Sequence, residues 1–146
     1  MFTHLLPKDS IPFSVDYSQY AKRHYLKRFQ KDNLGKQWTV TEEGIVEDLS
    51  RITYPDQDLQ QTQQIDELWQ KDDCWILKYD FKIAGKKEST KDSGNRLVAF
   101  LDCSKKTIEI LLIYGKGDLP KNMKETQFIR STISSNFKEI AQIFDL

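Results

Sequence analysis

"SGNRLVAFLDCSKKTIEILLIYGKGD", residues 93–118, decides the fold. Two apolar runs, 97–101 and 108–114, flank the polar connection Asp102-Cys103-Ser104-Lys105-Lys106. Short runs of Leu, Ile, Val and Phe around such a turn predict a β-hairpin. Their near-continuous hydrophobicity predicts central strands, covered on at least one face. A cation stands at each open end, Arg96 before the first run and Lys116 after the second. Antiparallel pairing brings those two ends together.

Upstream, residues 75–83 alternate: apolar side chains fall on the odd positions, with Lys78, Asp80 and Lys82 between them. That period predicts a half-buried strand with one wet face. The charged stretch from Gly85 to Gly94 reads as a loop. Earlier still, Tyr17, Ala21, Tyr25 and Phe29 recur every four residues after Asp16, a plausible N-cap, and predict an amphipathic helix. Thr39 and Glu42 have capping-box spacing ahead of Ile45, Val46, Leu49 and Ile52, a second helix ended by Tyr54-Pro55-Asp56. Ile65, Leu68 and Trp69 suggest a short helical turn docked on the core. After Leu119-Pro120 a closing helix is expected from Lys124, burying Ile129, Ile133, Phe137, Ile140 and Phe144.

The expected class is therefore α+β: two N-terminal helices, an antiparallel sheet of three to four strands, and a C-terminal closing helix. One domain over 1–146 accounts for the length, with 1–15 as an arm and 53–74 as an insertion-like connection. Hydrophobic content of 38% with 12% aromatics belongs to a folded chain. The opening MFTHLLPKDSIPF has no positive segment leading into a long apolar one, and no stretch reaches the roughly 18 apolar residues of a membrane span. Cys74 and Cys103 lack CxxC spacing, which fits free thiols in a reducing compartment. The expected location is the cytoplasm, with no membrane partner.

The formal net charge is zero, but the charge is unevenly spread. Residues 1–38 hold seven Lys/Arg against three acids, residues 39–70 one against eight, and residues 71–130 thirteen against nine. An acidic block between two basic ones is explained equally by a solvated acidic helix or by a basic surface facing a polyanion. No GxGxxG or GxxxxGK[ST] is present, so no phosphate-cradling loop is expected. His4 and His24 lack ligand spacing, and neither a metal nor a cofactor is expected. What remains is a group of cations on one sheet. Lys78 and Lys82 share a strand face, Lys86 and Lys87 open the next loop, and Arg96 and Lys116 flank the hairpin. By meander geometry Lys82, Lys86, Arg96, Tyr114 and Lys116 fall along one edge, as a phosphate site or as a solvated rim.

The stretches Tyr79-Asp80-Phe81-Lys82-Ile83-Ala84-Gly85, Ser93-Gly94-Asn95-Arg96-Leu97-Val98 and Leu111-Leu112-Ile113-Tyr114-Gly115-Lys116 together resemble the core of the RelE/ParE-like toxin superfamily. The resemblance covers about 79–130, and 17–52 more loosely, where members carry a pair of antiparallel helices. It implies a toxin of a toxin–antitoxin system, a ribosome-dependent mRNA endonuclease (mRNA interferase) working without metal. It also implies a cognate antitoxin and ribosome-bound mRNA as partners, with dimerisation left open. Arg96 and Lys116 would then act at the scissile phosphate, with Lys82 adding charge and Tyr114 stacking or assisting proton transfer. Lys78, Lys86 and Lys87 would contact RNA. The tail Ala141-Gln142-Ile143-Phe144-Asp145-Leu146 departs from the family pattern by lacking a terminal His or Tyr. A non-catalytic toxin against a protein such as gyrase, or a plain binding module, stays open on the same scaffold.

Overall fold

The computed structural model describes residues 13–33, 35–52 and 65–146. The expected helix end at Tyr54-Pro55-Asp56, most of the N-terminal arm, and residues 53–64 of the insertion-like connection lie outside that range. The fold is α+β, built on a five-stranded mixed sheet in the order β1-β5-β4-β3-β2. Its strands are β1 (Ser14–Tyr17), β2 (Ile65–Lys71), β3 (Cys74–Phe81), β4 (Asn95–Asp102) and β5 (Thr107–Tyr114).

β2, β3, β4 and β5 pair antiparallel in sequence order, as the hairpin reading requires. Two corrections concern the edges. Residues 65–71, expected as a helical turn, form edge strand β2 against β3, with a bulge between Glu67 and Trp69. The bulge breaks the strict alternation that would have marked a strand in the sequence. Residues 14–17, split between arm and helix in the expectation, form β1 and pair parallel with β5. The sheet is therefore mixed rather than purely antiparallel.

With Tyr17 in a strand, the helix starts later than Asp16. Ser18 is the N-cap, its hydroxyl accepting from the Ala21 amide at 3.0 Å. Helix α1 (Gln19–Ala21) passes through a π-helical stretch, Lys22–Leu26, into α2 (Lys27–Asp32). The wider π turn shifts the stripe: Leu26 is buried, whereas Tyr25 is only partly so. Gly35 at φ +74° then turns the chain into α3 (Lys36–Ser50). Thr39 and Glu42 lie inside this helix rather than at its cap. α3 buries Trp38, Thr41, Ile45 and Leu49, while Val46 is exposed.

The closing segment begins at N-cap Lys124 as expected but divides at Phe137 into α4 (Glu125–Asn136) and α5 (Lys138–Ile143). Helices thus cover both faces of the sheet. One core joins Phe29, Trp38, Ile45 and Leu49 to Trp75, Leu77, Tyr79, Phe81, Leu97 and Ile113. The other joins Ile129, Ile133, Ile140 and Ala141 to Ile76, Val98, Leu111, Leu112 and Tyr114. A register shift opposite Val98 and Ala99 lets both Leu111 and Leu112 face this second layer. Each fully buried Leu or Ile contributes roughly 1.5–3 kcal/mol. The even-numbered face of β3, expected to be wet, lies under α4.

Candidate functional site

That covered face carries the site. β4 places Arg96 in register with Asp80 of β3 on one side and Tyr114 of β5 on the other. Lys78 lies two residues from Asp80, on the same face. Above them α4 begins, and its first residue, Glu125, points down onto the sheet. Lys78 Nζ donates to Glu125 Oε1 at 2.9 Å, and the Tyr114 hydroxyl donates to Oε2 at 2.9 Å. Arg96 Nε stands 3.3 Å from the same Oε2 and 3.4 Å from Asp80 Oδ1. Asp66 of β2 completes the group, 3.5 Å from Lys78.

These groups are mostly shielded from water: Arg96 is 17% exposed, Asp80 15% and Glu125 25%. Shielding strengthens the pairing and makes any unpaired charge costly. Burial pushes the Asp80 carboxyl above its ordinary range, outweighing Arg96 and Lys78. Burial acts on Glu125 in the same direction. There the hydrogen bonds from Lys78 and Tyr114, with Arg96 close by, prevail and hold the carboxyl below its ordinary range. Burial, reinforced by the Glu125 charge, raises the Tyr114 phenol well above its usual value, so it acts here as a donor.

Three predicted site residues, Lys78, Arg96 and Tyr114, are thus brought together. The other four stand apart as exposed side chains. Lys82 follows the end of β3, Lys86 and Lys87 lie in the next loop, and Lys116 follows β5. Lys116 packs against Gly94, where a Cβ would lie 2.7 Å from its own. The two hairpin ends do meet, but Arg96 turns under α4 while Lys116 stays on the rim.

Beside that rim is a cleft of about 530 Å³ lined by Arg28, Asn33, Lys86, Ser93, Asn95 and Asp118, among others. Its wall is set by Asp118, which accepts from the Gly115 amide at 2.7 Å and receives both terminal guanidinium nitrogens of Arg28. That pairing ties α2 to the end of β5 and holds the Asp118 carboxyl below its ordinary range.

Sequence reasoning missed the carboxylates. Glu125 carries one usable signal, an acid in the first turn of a helix. Nothing local says that this turn lands over β3 and β4. Asp80 was visible as a polar residue of β3 but was assigned to a wet face that is in fact covered.

No protein-family model, curated protein or solved structure matches this chain.

Proposed function

We propose that this chain is a toxin of a toxin–antitoxin system, of the kind the RelE/ParE resemblance implies. In this reading it is a metal-independent endonuclease acting on ribosome-bound mRNA in the cytoplasm and is neutralised by a cognate antitoxin. The observation that carries the reading is the convergence of Lys78, Arg96 and Tyr114 on one carboxylate, Glu125. Donors gathered around an anion are what a phosphodiester site requires. Exposed Lys82, Lys86, Lys87 and Lys116 at the same end of the sheet offer charge for the flanking backbone.

The chemistry asked of such a site is modest. The 2′-hydroxyl of RNA gives its proton to water and attacks the adjacent phosphate. The P–O5′ bond breaks, the 5′-oxygen leaves as a hydroxyl with a proton from water, and a 2′,3′-cyclic phosphate remains. Negative charge builds on the pentavalent transition state between. A fixed guanidinium aimed at that charge supplies stabilisation, and losing one such donor costs about 10²–10³ in rate. Arg96 is the guanidinium in position for that role, its Nε 3.4 Å from Asp80 and 3.3 Å from Glu125.

A second reading, a non-catalytic toxin acting on a protein such as gyrase, is favoured by the same carboxylates. Asp80, Asp66 and Glu125 already neutralise Arg96 and Lys78 within the fold. Sequencing of cellular RNA after induced expression separates the two. Codon-associated cuts that vanish in Arg96→Ala and Lys116→Ala are expected. Growth arrest with intact messages and a DNA-damage response would sink the nuclease reading. Arrest that persists unchanged in both variants would remove this site from any function.

A further inference from the structure

We propose that Glu125 is a built-in competitor at this site, its carboxylate standing where an RNA phosphodiester binds once the first turn of α4 unwinds. The inference rests on the RNA reading of the sheet end and concerns what guards it. The first argument is geometric. The two Glu125 oxygens receive Lys78 at 2.9 Å and Tyr114 at 2.9 Å, and face Arg96 Nε at 3.3 Å. The two non-bridging oxygens of a phosphodiester can take over that arrangement.

The second is an unmet donor. Arg96 Nη1 is buried with no hydrogen-bond partner among the described residues. A buried donor without an acceptor is costly, and Glu125 leaves this one unsatisfied. Asp80 Oδ1, buried and likewise without a hydrogen-bond partner among the described residues, lies 3.4 Å from Nε and stays beside the guanidinium when Glu125 departs. A ligand bringing further acceptor oxygens would satisfy Nη1.

The third is that opening can be confined to the start of the helix. The N-cap of α4, Lys124, makes no side-chain capping bond, and it and the preceding Lys121 and Asn122 are exposed. Uncapped first turns fray most readily because their amides lack partners. Ile129 and Ile133, both 0% exposed, anchor the helix beyond that turn. Unwinding the first turn therefore releases Glu125 without detaching α4.

Fluorescence anisotropy with a short end-labelled single-stranded RNA tests the competitor. Glu125→Gln keeps the shape and an acceptor oxygen but removes the charge. It is expected to bind about tenfold more tightly than the parent, as a binding-competent state becomes more populated. The salt dependence should steepen by about 0.7 per phosphate newly contacted. Adding Arg96→Ala should abolish the gain. If the folded Gln variant binds RNA no better than a parent that does bind, the competitor role is overturned and the RNA reading survives. If neither protein binds RNA, the competitor role is overturned, while the RNA reading stands or falls on the cuts in cellular RNA. Should the Gln variant fail to fold, Glu125→Asp withdraws the carboxylate by one methylene and should give a smaller gain, whose absence equally overturns the proposal.

Discussion

The hydroxyl of Tyr114, the last residue of β5, donates to Oε2 of Glu125, the first residue of α4, at 2.9 Å. Tyr114 is fully buried, so this bond links the buried end of β5 to the start of the covering helix. The Phe128 ring packs edge-on against Tyr114 with centroids 5.6 Å apart, one helical turn further on. Strand, helix start and ion pairs therefore form one unit, and substitutions in it should be felt together.

Tyr114→Phe removes only the hydroxyl. Urea unfolding should show a loss of about 1 kcal/mol, the usual net worth of one such bond. In a Glu125→Gln background the loss should change, because both groups share the bond. Strict additivity in the double-mutant cycle would contradict the coupling.

Acid sensitivity should trace in part to Asp118. Its hydrogen bonds from Arg28 outweigh burial and lower its folded-state value, so its stabilisation is complete above about pH 4, the unfolded range for Asp. It is lost as pH falls through the depressed folded value. Asp118→Asn should therefore flatten the acid limb of a stability–pH curve. The change should be modest, because Arg28 is 42% exposed and solvent screens the pair. An unchanged acid limb would refute this assignment.

Gly94→Ala should destabilise by about 1–3 kcal/mol. Gly94 has φ +72°, and its new Cβ would meet Lys116 Cβ at 2.7 Å. Adding Lys116→Gly should recover the contact part of the loss but not the backbone part. Full recovery would mean that the backbone conformation costs nothing there.

Ser18→Ala should cost about 1 kcal/mol, as loss of an N-cap does. The Ser18 hydroxyl accepts from Ala21 at 3.0 Å and lies 3.3 Å from the Leu111 carbonyl, to which it donates. Asp16→Ala, at the position the sequence pattern favours as the cap, should cost much less. Chemical denaturation of the two variants checks the order, and the reverse order would return the helix start to Asp16.

The central hairpin was readable because β4 and β5 are bounded by a polar connection and too apolar to be anything but core. The strand at 75–83 was readable from period two, and the closing helix from Ile129, Ile133 and Ile140. β1 was not, since four residues beside a helical stripe give no independent signal, and its partner β5 is almost a hundred residues away. β2 was hidden by its bulge. In the site, Arg96 and Lys116 were visible as cations at meeting strand ends, but their different surroundings were not.

The sequence by itself determined the alternation, the hairpin and the apolar stripes, because these are local patterns set by the periods of strand and helix. It also determined that the hairpin ends carry Arg96 and Lys116 and must come close. Tertiary structure decided which face of the sheet α4 covers, that β1 runs parallel to β5, and that Glu125 lands among Lys78, Arg96 and Tyr114. Those outcomes depend on how whole elements pack to bury two cores at once. A charge takes its meaning from that packing, since burial and neighbours decide whether a cation faces water, a carboxylate or a ligand.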